Sequence, residues 1–145
     1  MFDLLLNGFA VAFSPTNIML VVIGCFLGTV IGMLPGIGPI NAIAILFPIV
    51  LQFELPASSA LIFFAGIFYG SQYGNSISSI LLNVPGTSSA AVTCIDGNPL
   101  AKQGKAGPAL AMSAVASFIG GTISIFLLVL LAPFLSKLAI DFGPA

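Results

Sequence analysis

Three stretches without a single charged side chain make up most of this chain: Leu4–Phe53 (50 residues), Leu55–Ile95 (41 residues) and Ala106–Ser136 (31 residues). A helix that crosses the hydrocarbon core of a bilayer needs about 20 apolar residues. The first two runs can therefore each hold a pair of crossings, or a crossing plus a re-entrant segment, and the third can hold one. Charge is confined to Asp3, Glu54, Asp96, Lys102, Lys105, Lys137 and Asp141. At 5% charged residues and a mean hydropathy of +1.21, the chain cannot coat a water-exposed surface, for which about 25% is usual. Backbone groups in lipid must be satisfied within the segment, which leaves helices. The expected fold is an all-α integral membrane protein, a polytopic helix bundle forming a single transmembrane domain over residues 1–145.

The same composition excludes several kinds of chemistry. There is no His and no Arg, so no metal-ligand cluster and no Ser-His-Asp triad can be built. Hydroxyls are present without a general base beside them, which argues against an enzyme. No basic patch exists for nucleic acid. Cys25 and Cys94 lie in apolar runs and read as small core residues. The opening MFDLLLNGFAVAF lacks the positive start of a signal peptide and reads as a short helix with Asp3 at its watery end. Asp141–Ala145 bears no sign of a natural C-terminal tail.

Two proline-glycine breaks interrupt the apolar runs. The first is GMLPGIGP (Gly32–Pro39), where Pro35 and Pro39 remove backbone donors and Gly36 and Gly38 permit unusual dihedrals. The second is VPGTSS (Val84–Ser89), where Gly86 allows a tight turn and Thr87, Ser88 and Ser89 can cap a new helix. A broken helix in a bilayer is tolerated where its backbone is buried in protein or lines a polar cavity. The new helix start carries partial positive charge and can hold an anion without Lys or Arg. A kinked packing helix capped by its own hydroxyls accounts for the stretch equally well.

Helices are expected over residues 1–13, from Pro15 to Leu34 with Ser14 as N-cap, from about Ile40 to Gln52, and from Pro56 to Tyr69. Gly24, Gly28 and Gly32, then Gly66, Gly70 and Gly74, recur every fourth residue, the spacing that lets helix backbones touch in lipid. Each ladder precedes a break, a weak internal repeat. Ser71, Gln72, Tyr73, Asn75, Ser76, Ser78 and Ser79 are unusually polar for this depth and read as a cavity wall. Asp96-Gly97-Asn98-Pro99 reads as a turn. Ala109, Ser113, Ser117 and Gly121 form a third small-residue stripe, with a possible kink at Gly120-Gly121.

Taken in order, GMLPGIGP, FYGSQYGNSISSILLNVPGTSSA and DGNPLAKQGKAGPAL resemble the large membrane subunit of tripartite tricarboxylate transporters. The resemblance covers nearly the whole chain but only the N-terminal portion of that longer subunit. It implies a bacterial inner-membrane permease that works with a small membrane subunit and a periplasmic solute-binding protein. It further implies uptake of citrate-like organic acids driven by a cation gradient. No uncharged run offers a Lys or Arg to a polycarboxylate, so the helix starts after the two breaks are the expected anion site. Its residues would be Gly36, Gly38, Asn41, Pro85, Gly86, Thr87, Ser88 and Ser89. A coupling Na⁺ would suit Asn75, Ser76 and Asn83 with carbonyls freed at the breaks. Proton coupling would need a buried carboxylate, which these runs lack, so Na⁺ is favoured over H⁺.

Two other classes compete: a passive channel and a membrane scaffold without a substrate. If both longer runs cross and return, Asp3, Glu54 and the Lys102–Lys105 loop share the cytoplasmic side, by the positive-inside rule.

Overall fold

A computed structural model describes residues 2–141 of the chain, so the expectations for the last four residues lie outside it. Six helices follow one another: α1 (Phe2–Ala12), α2 (Pro15–Gly32), α3 (Pro39–Gln52), α4 (Ala57–Leu82), α5 (Ser88–Lys102) and α6 (Ala106–Asp141). No strand occurs among the described residues. The all-helical class is as expected, and both Pro-Gly motifs fall between helices. The contacts group the chain into two units, Met1–Leu110 and Ala111–Ala145.

Local chemistry places the helix starts. Ser14 caps α2, its hydroxyl accepting from the Asn17 N–H at 3.4 Å, with Pro15 at the first helical position. Pro39 likewise opens α3, where a missing N–H costs nothing. Asn17 is buried and its amide donates to the Val11 carbonyl at 2.7 Å, which ties α1 to the start of α2.

The centre of the first unit is the α2–α4 pair, and the two glycine ladders make it by facing each other. A β-carbon at Gly24 would lie 2.6 Å from the Phe63 carbonyl oxygen, and one at Gly66 would lie 2.7 Å from that of Val21. Those at Gly28 and Gly32 would overlap the backbones of Ile67 and Ser71. Those at Gly70 and Gly74 would overlap Cys25 and Thr29. Numbering rises together along both helices, so α2 and α4 run parallel with their starts at one end. Each ladder was expected to be a packing face; that each is the other's partner required the structure.

α3 folds back against this pair. Its buried Ala42, Leu46 and Val50 pack on Phe63 and Ile67 of α4, and the Phe47 and Phe64 rings stack at 5.6 Å. The first uncharged run therefore goes out as α2 and returns as α3.

Four expectations are corrected here. α4 does not stop at Tyr69 but continues to Leu82, because its polar residues turn inward: Ser71, Asn75, Ser78 and Ser79 are buried and share one face, with Ser71 and Ser79 each four residues and Ser78 three residues from Asn75. Asp96–Pro99 is not a turn but part of α5. Asn98 is buried, and its amide donates to the Ile80 carbonyl at 3.0 Å, while Gly97 lies against the Ile80 side chain. That interhelical bond holds the segment helical, and the turn falls later, at Gly104 with φ +80°. Third, Cys25 is exposed; its backbone, not its thiol, meets α4.

The fourth correction concerns the ends. Asn98 contacts Ile80, and Lys102 follows only one helical turn later. The Lys102–Lys105 turn thus sits at the C-terminal end of α4, whereas Glu54 sits at its N-terminal end. Twenty-six residues of helix separate those ends by about 39 Å, so Glu54 and these lysines lie at opposite ends of α4, not at one end as a run that goes out and returns would place them.

In the second unit α6 continues without interruption through Gly120-Gly121. Its Phe118, Phe126, Leu128 and Leu130 are exposed, as is Ser117 of the small-residue stripe. α2 and the Ala106–Ala132 part of α6 are long and apolar enough to cross a membrane.

Candidate functional site

Among the described residues, two hollows of similar size open on the first unit, and their linings decide between them. One, of about 490 Å³, is walled by Leu20, Leu27, Leu46, Phe53 and Phe63 and neighbouring apolar residues; it offers a polar solute nothing. The other, of about 480 Å³, is lined by Gly38, Pro39, Ile40 and Asn41 of the first break and α3, Phe68 and Gln72 of α4, and Gly86 and Thr87 of the second break. The two breaks, 48 residues apart in sequence, face each other across this second cleft. A β-carbon at Gly38 would meet the Thr87 methyl at 3.3 Å and the Gly86 carbonyl at 3.4 Å.

The cleft brings two helix starts together. α3 begins at Gly38 with no side-chain cap, and its first helical bond runs from the Ala42 N–H to the Gly38 carbonyl at 3.1 Å. The Ile40 and Asn41 N–H groups precede that bond, so they are free donors. α5 begins at Thr87, whose hydroxyl accepts from the Ala90 N–H at 3.4 Å and pairs with the Ser89 hydroxyl at 3.1 Å. Its start is thus capped from within, as the packing account of this stretch supposed, while that of α3 is bare. Partial positive charge from both helices converges on one hollow.

Of the residues expected to bind an anion, Gly38, Asn41, Gly86 and Thr87 line the cleft. Ser88 and Ser89 sit beside it, exposed on the first turn of α5, and Pro85 precedes them in the break. Gly36 does not line it: with φ +82° and open space around it, it makes the turn out of α2. The unusual dihedral expected at both glycines of the first break belongs to Gly36 alone, since Gly38 is extended (φ −80°, ψ 171°). Gly86 also lacks a positive φ. Its requirement for glycine is steric, because the buried Asn75 carboxamide occupies the place of its β-carbon. Phe68 and Gln72 are lining residues not anticipated as ligands; Gln72 lay within the polar row that signalled a cavity wall.

The expected cation ligands are separated. Asn75 is buried under Gly86. The Ser76 hydroxyl turns back to the Gln72 carbonyl at 3.4 Å. Asn83 is exposed and ends α4 in the left-handed conformation (φ 58°), its N–H donating to the Ser79 carbonyl at 3.2 Å. Asn is among the few residues that adopt this conformation readily, so Asn83 is a helix cap. Among the described residues no group of His, Cys, Asp and Glu could hold a metal ion.

Comparison with known proteins bears on the whole chain. The sequence profile described as "Tripartite tricarboxylate transporter TctA family" matches residues 18–145. A protein of Agrobacterium vitis, described as an uncharacterized 52.8 kDa protein in the TAR-I ttuC' 3' region, is 49% identical over 146 residues. That match covers 99% of this chain and 29% of the relative's length. No solved structure matches.

Proposed function

Since this chain belongs to the tripartite tricarboxylate transporter TctA family, we propose that it forms part of the membrane permease subunit that takes up tricarboxylates or related organic acids. The convergence of two helix starts on one cleft, with Asn41, Gln72 and Thr87 in its lining, carries this reading. Each break exposes backbone N–H groups where no Lys or Arg is at hand, and Asn41 and Gln72 add side-chain amides. A carboxylate placed there would exchange water for several fixed donors, which is what desolvating an anion requires. The α2–α3 and α4–α5 connections then act as paired breaks whose helix starts face a common substrate site, as in many transporters. A small membrane subunit and a periplasmic binding protein would complete the assembly in the bacterial inner membrane. A Na⁺ gradient suits the neutral oxygens near the breaks as the driving force.

Asn41 gives the sharpest test, because its side chain lines the cleft, is exposed, and makes no hydrogen bond to the described residues. Asn41→Ala, measured as uptake of labelled citrate by the intact transporter, should raise the half-saturating concentration by roughly tenfold to a hundredfold, the loss of one charge-assisted hydrogen bond at about 1.5–3 kcal/mol. Membrane abundance should not change. Thr87→Val should weaken uptake similarly and also reduce abundance, since it removes the α5 cap, worth about 1 kcal/mol. Unchanged affinity in both variants would leave the cleft without a substrate role.

Orientation follows from the lysines. With Lys102 and Lys105 cytoplasmic, the opposite end of α4 faces outward. A cysteine replacing Glu54 should react with an impermeant thiol reagent from outside, and one replacing Gln103 should not. Both reacting from the same side would overturn this topology.

A further inference from the structure

The apolar hollow of about 490 Å³ separates two stripes of matching spacing. Leu20, Ile23 and Leu27 on α2, and Leu46, Ile49 and Phe53 on α3, each advance by three and then four residues. Such spacing gathers side chains on one face of a helix, and facing stripes of this kind ordinarily interlock. Here they stand apart. Ile23 and Leu27 each precede a ladder glycine that touches α4, so they project about 100° to the side of that contact. α3 rests on the same helix through Leu46 and Val50. Phe63 of α4, with Leu55 just before that helix, completes the lining.

Glu54 lies between two of the lining residues, Phe53 and Leu55. Its side chain is exposed, and its backbone is left-handed at φ 46°, a conformation that glycine or asparagine adopts more readily. Turn geometry therefore gives no reason for glutamate at this position. Lys102 and Lys105 are at the far end of α4 and do not neutralise it. An apolar gap stays dry, and at membrane depth its surroundings are hydrocarbon. A helix about 10 Å across would need roughly 800 Å³ over the length of the stripes. The hollow has 490 Å³, about three times the ~150 Å³ in which a protein can hold benzene. That is room for a hydrocarbon chain and too little for a helix.

We propose that this hollow seats an acyl chain of a phospholipid whose free ammonium headgroup pairs with the Glu54 carboxylate. The chain alone gains little by leaving bulk lipid, which is as apolar as leucine. Selection therefore falls to the headgroup, where Glu54 attracts an ethanolamine ammonium and repels a lipid of net negative charge. The site rests on the chain's place in the bilayer and not on the anion cleft.

The test is fluorescence quenching by lipids brominated on the acyl chain near its carboxyl end, in mixed micelles of the full protein. Residues 1–145 contain no Trp, so an introduced indole reports its own surroundings once the parent protein's signal is subtracted. Phe53→Trp places it in the lining. Phe13→Trp places it just before α2, at the same end of the α2–α4 pair, exposed and outside the hollow. Brominated phosphatidylethanolamine should quench the Phe53→Trp variant half-maximally at a severalfold lower mole fraction than brominated phosphatidylglycerol. The Phe13→Trp variant, which meets bulk lipid only, should not distinguish the two. Adding Glu54→Gln to Phe53→Trp should bring the two lipids together. Adding Ile23→Phe with Ile49→Phe instead, which fills the gap from its rim, should raise both half-points to those of the control. All these positions are exposed, so folding is not at stake. Equal half-points for the two lipids in the Phe53→Trp variant, or a preference that survives Glu54→Gln, would overturn the site. So would an unquenched Phe53→Trp variant, the result if another part of the subunit covers the hollow.

Discussion

Gly28→Leu and Gly70→Leu are each expected to remove most of the folded protein from the membrane. Both positions lie mid-ladder, where a single β-carbon would already overlap the facing backbone, that of Ile67 and of Cys25 respectively. A leucine side chain has nowhere to rotate, because the obstacle is a carbonyl on a neighbouring helix rather than the tip of a side chain. The two helices must separate by several ångströms, and close packing over the whole interface is lost with them. In lipid there is little hydrophobic gain to offset that loss, since lipid tails are as apolar as leucine. The interface depends on van der Waals contact and on Cα–H groups meeting carbonyls, each worth about 0.5–1 kcal/mol. Because α3 packs on Phe63 and Ile67, the damage extends beyond the pair. Gly107→Leu is the control: it too is helical, but nothing lies within 4 Å of its β-position. Quantitative immunoblotting of membranes, with thermal stability of any purified protein, reads the result. Wild-type abundance and stability in both ladder variants would show that α2 and α4 do not touch as described.

How much of this was legible in the sequence depends on the range of the interaction responsible. Uncharged run length depends on each segment alone, and it announced the helices. Ser14 with Pro15 marked the start of α2 through bonds spanning three residues. The ladders advertised contact but not the partner, since four-residue glycine spacing is the same whichever helix it meets. The polar row from Ser71 to Ser79 looked like the end of a helix because polar residues at depth are expensive; only the tertiary fold shows that α4 carries them inward. DGNP failed for a related reason. Its turn propensity is local, but Asn98 donates to a carbonyl 18 residues away, and that bond prevails. In the candidate site, Gly38, Asn41, Gly86 and Thr87 were identifiable from helix-start chemistry. The reason Gly86 must be glycine was not, because it lies in a side chain from another helix.

That reason makes Gly86→Ala the second severe variant, and one whose cause can be isolated. Gly86 does not need a left-handed backbone, so alanine imposes no dihedral strain. The added methyl instead competes with the Asn75 carboxamide for one position, with the Ile37 carbonyl 3.2 Å away on the far side. Asn75 is fully buried, so either its carboxamide or the break must shift within packed surroundings, and overpacking of this kind costs about 1–3 kcal/mol. The displaced segment carries Thr87 and the start of α5. Citrate uptake should therefore fall at least about tenfold, the equivalent of 1.4 kcal/mol. Gly86→Ala combined with Asn75→Ala should recover membrane abundance, because the methyl then occupies the vacated space. Gly36→Ala offers the contrast: its φ of +82° lies in open space, so about 1 kcal/mol of backbone strain is expected with no rescue by shortening Asn75. A double variant no more abundant than Gly86→Ala alone would mean that the backbone of the break, not its contact with Asn75, demands glycine at this position.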